Sequence, residues 1–252
     1  VHTGSAGTNA NDADVSSTVT IENNDAVTVN ITAATSAPED ASDTQDFTVT
    51  LLDGGDNSTT VDVDFDVTYV IADNTTEDED WDPNSGNTGT VTFTVGSLTQ
   101  TFSIDILDDL IVELDETVDA TITLGNVFSH SVTAGIVNAT YTIDDDDAAT
   151  LVIDDILVSQ NEDDGAYNHT ISFAEIGVTT DIDLNFTLDI QEAGLFTSAD
   201  VTSVNNPTLV AGNTNTLFSI LPEADVIVEQ DELYQYLLSA ITTSLGSRDI
   251  TI

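Results

Sequence analysis

Apolar and polar residues alternate along much of the chain. Residues 61–71 read VDVDFDVTYVI, with Val61, Val63, Phe65, Val67, Tyr69 and Ile71 on one face and Asp62, Asp64, Asp66 and Thr68 on the other. A period of two predicts a half-buried strand. The pattern returns at Ile182, Leu184, Phe186, Leu188 and Ile190, with Asp181, Asp183, Asn185, Thr187 and Asp189 turned outward. Phe102, Ile104 and Ile106 predict another strand, as do Val118, Ala120, Ile122 and Leu124, and then Val137, Ala139, Tyr141 and Ile143. Helical periodicity is missing, and Thr, Val and Ile, which strands favour, are abundant. About seven strands in each stretch of roughly 110–120 residues, parted by Asp, Asn, Gly and Ser turns, predict an all-β architecture of immunoglobulin-like antiparallel sandwiches. Pro38, Pro83, Pro207 and Pro222 fall at or near predicted strand ends, where a missing N–H costs little.

The chain also repeats itself. In TVTIENNDAVTV (residues 18–29), Ile21, Asp25 and Ala26 align with Ile143, Asp147 and Ala148 in ATYTIDDDDAATLVI (residues 139–153). The segment DLIVELDE at residues 109–116 returns as DVIVEQDE at residues 225–232. Glu39-Asp40 and Glu162-Asp163 each follow the first strand of a repeat, and the closing DITI matches the YTI that ends at Ile143. Correspondences in the same order predict a tandem array arranged end to end. Residues 1–25 are read as the C-terminal tail of a preceding repeat. Residues 26–147 form a complete repeat, and residues 148–252 a second one truncated before its terminal acidic run. The chain opens on Val1 and reads as a window from a longer polypeptide.

Charge narrows the function. The 252 residues carry 47 acids against a single basic residue, Arg248, for a net charge of −46. Phosphate binding needs Lys and Arg, so nucleic acid is excluded as a partner, and docking on anionic membrane surfaces is disfavoured. No apolar run is long enough to insert in a membrane as a helix. Cysteine is absent, which removes disulfides and thiolate metal sites. Hydrophobic residues make up 40% and the mean hydropathy is +0.02, so a core is affordable provided carboxylate repulsion is offset. Mobile sodium does part of this by screening, and bound divalent cations do it specifically.

Most of the acids are read as solvated strand faces, but some crowd into loops. One cluster runs from Asp108 and Asp109 through Glu113 to Asp115 and Glu116. A second is Asp144, Asp145, Asp146 and Asp147, at the boundary between repeats. A third is Glu39-Asp40, and a fourth spans residues 77–82 around Trp81. Counting strands places the first three at one end of the first sandwich, facing the second. Carboxylates brought this close raise one another's pKa, and a hard divalent cation relieves them. Calcium, with six to eight oxygen ligands and flexible geometry, suits such loops better than magnesium. The spacing is not that of an EF-hand.

These residues resemble the Calx-beta family. Its signature of two acids, a Glu and an acid–Glu pair is met by Asp108-Asp109, Glu113 and Asp115-Glu116. Its closing strand into three acids is met by Tyr141-Thr142-Ile143 running into the acids that end at Asp147, and a further segment by Asp80-Trp81 followed by Gly89-Thr90-Val91-Thr92-Phe93. The resemblance implies Ca2+ ligands in the first repeat at Glu39, Asp80, Asp108, Asp109, the Ile111 carbonyl, Glu113, Glu116, Asp145, Asp146 and Asp147. In the second repeat it implies Glu162, Asp200, Asp225, the Ile227 carbonyl, Glu229 and Glu232. There Ala224 replaces the first acid of the pair, with Glu223 beside it, and in the preceding tail the terminal acids are Asn23, Asn24 and Asp25.

No other chemistry stands out. His2, His130 and His169 are far apart, no nucleophile elbow occurs, and the aromatic platforms expected for sugar binding are missing at 6% aromatic content. Trp81, the only tryptophan, is expected in the core. The expectation is therefore a non-enzymatic, calcium-binding stalk segment of a large extracellular adhesin at the cell surface, with Ca2+ rigidifying the junctions between repeats. Its partners would be neighbouring repeats and other cell-surface or filament proteins; family resemblance extends this to biofilm and gliding adhesins. The competing expectation is a self-assembling surface-layer or filament subunit whose acidic surface is an adaptation to salt.

Overall fold

The computed structural model describes residues 18–41, 44–76, 80–84, 86–126, 131–154, 159, 161–193, 201–228, 230–231 and 233–252. Apart from one 3-10 turn, Glu39–Ala41, all regular structure among them is β. The first unit contains β1 (Val27–Ala33), β2 (Ser36–Pro38), β3 (Gln45–Leu52), β4 (Phe65–Asp73), β5 (Thr88–Phe93), β6 (Thr99–Ile104), β7 (Ile111–Val112), β8 (Glu116–Leu124), β9 (Val132–Ala134) and β10 (Asn138–Asp144). One sheet runs β6-β3-β1-β9 and the other β2-β10-β8-β4-β5. The opening strand is split between the sheets as β1 and β2, and the closing strand as β9 and β10. Each half of one pairs in parallel with a half of the other. The remaining pairings within the two sheets are antiparallel, as in an immunoglobulin-like sandwich.

Alternation fills the space between the sheets. Val29 and Ile31, Phe47, Val49 and Leu51, Phe65 and Val67, and Val118 and Ala120 all turn inward. The ring of Phe102 stacks on Phe47 at 5.3 Å and on Tyr69 at 3.8 Å between centroids. Trp81 is buried, and its indole N–H donates to Asp73 Oδ1 at 2.6 Å.

The second unit contains β11 (Ala148–Asp154), β12 (Tyr167–Phe173), β13 (Thr179–Thr180), β14 (Leu184–Ala193), β15 (Val201–Val204), β16 (Thr208–Leu209), β17 (Asn215–Pro222), β18 (Leu233–Ile241) and β19 (Asp249–Thr251). Its sheets run β15-β17-β12-β11-β19 and β16-β14-β18, around a separate core that includes Leu151, Ile171, Leu184, Phe218 and Ile220. His169 lies in that core with its Nδ1 2.6 Å from the Tyr236 hydroxyl.

Three predicted strands differ at their ends. Alternation from residue 61 does not make a strand until Phe65, because Asp64 accepts the Val95 N–H at 2.8 Å and the Val61 carbonyl accepts that of Gly96 at 3.3 Å. In the second unit β14 begins at Leu184, after Asp183 has accepted the Ala211 N–H at 2.9 Å. The third, β6, ends at Ile104, and Ile106 forms a lone bridge to Trp81. Aspartate acceptors interrupt the first two patterns, and β6 leaves its ladder where the backbone of residues 105–107 pairs with residues 80–82.

The junction is short and interlocked. β10 ends at Asp144 and β11 begins at Ala148, so Asp145, Asp146 and Asp147 are the whole connection. β7 belongs to the first unit in sequence but pairs in parallel with β13 of the second, Ile111 opposite Thr179 and Val112 opposite Thr180. The Thr179 N–H donates to the Leu110 carbonyl at 2.9 Å, and the Thr180 hydroxyl to the Val112 carbonyl at 3.1 Å. The Val112 side chain is fully buried in the second core. Leu114 lies against the turn at Gly246, whose φ of +65° favours glycine; a Cβ there would meet Leu114 Cδ2 at 3.0 Å.

Candidate metal centre

The parallel pairing of β2 with β10 sets Pro38 opposite Asp144. The chain then leaves both strands at the same end, so Glu39 emerges beside the acids of the connection. Glu116 opens β8 opposite Ile143 of β10, which brings the loop at residues 108–116 to that end as well. Asp109 starts the loop with a local turn, its Oδ1 accepting the Ile111 N–H at 2.7 Å. Asp80 is held from another side: its carbonyl accepts the Leu107 N–H at 3.0 Å, and its side chain is buried.

Two carboxylate triads result. Glu39, Asp109 and Asp147 each offer an oxygen within 4.8 Å of the others, and so do Asp80, Glu113 and Glu116. Asp145 braces them: its Oδ2 accepts the Glu113 N–H and its Oδ1 the Asp147 N–H, both at 3.1 Å. Asp108 and Asp146 lie on the exposed rim and add negative charge around Asp147. A cavity of about 170 Å³ opens beside the second triad, between Asp80, Ile111 and Glu113 of the first unit and Thr180, Asp181 and Gly212 of the second.

The charge in these triads is poorly satisfied by protein. Burial first, then Asp109 and Asp147, push the Glu39 carboxyl up to about 8. Burial and then Asp80 push Glu113 up to about 9. Asp147 rises to about 6, again through burial and then Asp145 and Asp109. Asp145 is raised by burial, although the two N–H groups it accepts pull the other way. One buried oxygen, Asp147 Oδ2, has no hydrogen-bond partner. Buried polar atoms without partners are rare and point to an ion or water. A donor set made only of oxygens, without His or Cys, matches a hard divalent cation and not a thiolate or imidazole metal.

The candidates of the second unit are arranged differently. Glu162 lies exposed in a turn. Asp225 repeats the local turn of Asp109, accepting the Ile227 N–H at 2.6 Å, but its loop stands in solvent. Among the described residues no three acids of this unit converge. Asp200, Glu229 and Glu232 lie outside the described residues, as do His2 and His130.

The junction role of two residues was not read from the sequence. Asp181, read only as a solvated strand residue, receives both Arg248 Nε, at 2.6 Å, and Arg248 Nη2. Arg248 Nη1 also donates to the Leu245 carbonyl at 3.1 Å. The only fixed cation of the chain is thus spent at the junction, where Glu113 and Asp145 add to the pull of Asp181 and hold its pKa above the ordinary value. A lone arginine among 47 acids was the available signal.

No protein-family profile matches this chain, and no curated protein does. Solved structures similar to it include the apo form of the Calx CBD1 domain, 20% identical with a TM-score of 0.39, over 48% of this chain and 98% of that one. The CBD12 of CALX1.2 is 15% identical, with a TM-score of 0.39, over 87% of this chain and 83% of that one. The Yersinia pseudotuberculosis adhesin InvE is 15% identical, with a TM-score of 0.32, over 76% of this chain and 50% of that one. The site rests on its own geometry.

Proposed function

We propose that this chain is a calcium-binding, non-enzymatic segment of an extracellular stalk, in which Ca2+ at the junction fixes one sandwich against the next. The observation that carries the reading is the convergence of two carboxylate triads, containing the buried Glu39 and Asp80, at the end of the first unit that meets the second. Glu39, Asp109 and Asp147 would hold one ion, and Asp80, Glu113 and Glu116 another, with Asp108, the Ile111 carbonyl, Asp145 and Asp146 completing the shells. A bound ion supplies the positive charge that the triads otherwise obtain from protons. The acids of the first triad come from the 3-10 turn, the loop ahead of β8 and the connection itself, so an ion there ties those three elements to one another. The resemblance of the acidic signature to Calx-beta repeats supports the extracellular setting and the adhesin role, and a lysine-free chain suits a protease-rich exterior.

Thermal unfolding in chelator and then in 10 mM calcium, at fixed high sodium, tests it. Sites with Kd near the ~10⁻⁴ M of extracellular modules would stabilise the fold by about 2.7 kcal/mol per ion at a hundredfold excess. The upward shift in Tm should vanish in the D109A/E113A double variant. Stabilisation by sodium alone, with nothing added by calcium, would reduce the triads to ordinary screened charge.

A further inference from the structure

The loop that carries Asp109 and Glu113 also does something that metal binding does not require: it inserts a strand into the neighbouring sandwich. Ile111 and Val112 extend along Thr179 and Thr180, and Val112 is 0% exposed within the second core. The same segment exists in the second unit. Val226, Ile227 and Val228 stand where Leu110, Ile111 and Val112 stand in the first, inside DVIVEQDE and DLIVELDE. The launching turn is also the same, Asp225 to Ile227 at 2.6 Å against Asp109 to Ile111 at 2.7 Å. The surroundings are opposite, because Val226 and Val228 are each 99% exposed. Three consecutive β-branched residues held out in water, on a chain that buries Val112 completely and Ile111 partly at the matching positions, mark a missing partner.

We propose that Val226, Ile227 and Val228 are a strand donated to the edge of a further sandwich of the second unit's kind, standing next to the second unit as the second stands to the first. The partner's chemistry is set by the socket already filled at the junction: a short Thr-Thr edge with a free N–H and hydroxyl, over an apolar pocket that takes one valine. The first unit does not offer such an edge. Its corresponding stretch is closed by its own hairpin, with Ser58 bridged to Leu52 and the Thr59 N–H donated to the Leu51 carbonyl at 3.0 Å. A strand added to an open edge gains affinity from its main chain and specificity from alternate side chains, here Val228 inward and Val226 toward the rim. The inference rests on the reading of the chain as an array of sandwiches and not on calcium.

The chain has no cysteine, so Val228→Cys introduces a unique thiol at an exposed site. Its rate of modification by a thiol reagent is measured in the 252-residue chain and in one extended after Ile252 by a second copy of residues 144–252. Both are measured in chelator and in calcium, so a failure of the calcium reading leaves this result intact. Fast modification is expected in the original chain and at least about tenfold slower modification in the extended one, with Val226→Cys protected less. Amide exchange reports folding of the appended unit independently. A folded appended unit with Val228→Cys still reacting at the original rate overturns the proposal. An appended unit that stays unfolded overturns it as well, since a donor already in place should complete its core. Protection that grows with concentration in the 252-residue chain itself would assign the strand to a second molecule and overturn the proposal in its stated form.

Discussion

Glu39 and Glu113 keep protons that an exposed glutamate loses, with pKa values pushed up to about 8 and about 9 by burial and then by their acidic neighbours. Both folded values lie above the unfolded value of 4.5. Between them the native state binds more protons than the unfolded chain, so stability falls as pH rises. In calcium-free buffer with chelator, Tm should therefore decline steadily from pH 5 to pH 9. The E113Q variant, which cannot ionise, should flatten the upper part of that decline. A Tm that rises over this range would show that the triads are not assembled in the native state. Calcium competes with those protons, so its apparent affinity should increase over the same window, and titration in weak buffer should release acid. Arg248 and Asp181 form a second residue-scale test. Hydrogen bonds to charged groups are worth about 1.5–3 kcal/mol, and a double-mutant cycle of R248Q and D181N should return a coupling of that order. A coupling near zero would make the pair a surface contact of no consequence.

At the scale of elements, β7 is short but consequential. Val112→Ala removes a buried side chain from a core to which the rest of its unit does not belong. The expected cost is about 2 kcal/mol, from lost transfer free energy and the cavity left behind. Its signature is location: hydrogen exchange should accelerate in β13 and β14 of the second unit and stay unchanged in β3 and β8 of the first. Loss of protection confined to the first unit would contradict the interlock. The strands themselves were legible in the sequence because alternation is a local signal, and β8 and β10 follow it closely. The acids of the first triad were legible as loop clusters, since strand counting places Glu39, Asp109 and Asp147 at one end. The pairing of Ile111 and Val112 with Thr179 and Thr180 was not legible. It joins residues far apart in the chain, and the apolar run inside DLIVELDE reads equally well as part of an acidic signature. The late start of β4 escaped for another reason: Asp64 takes a backbone donor in a way that hydrophobic period does not register.

The whole molecule carries −46 in charge with one cation, and that cation is also its single site for a trypsin-like protease. Arg248 sits in the ion pair with Asp181, its side chain only 9% exposed. Trypsin should leave the folded chain intact and make a single cut once the second unit opens, so the appearance of that cut on heating should track unfolding of this unit. Extensive cleavage below the melting transition would contradict the placement of Arg248. The connection between the units has a mechanical consequence. Asp145, Asp146 and Asp147 are all that separates β10 from β11, and at about 3.5 Å per extended residue they can pay out little more than ~10 Å. Tension applied along such an array would meet no elastic tether. It would arrive at once on the ladders of two sheets, with β7 wedged across the gap as a cleat.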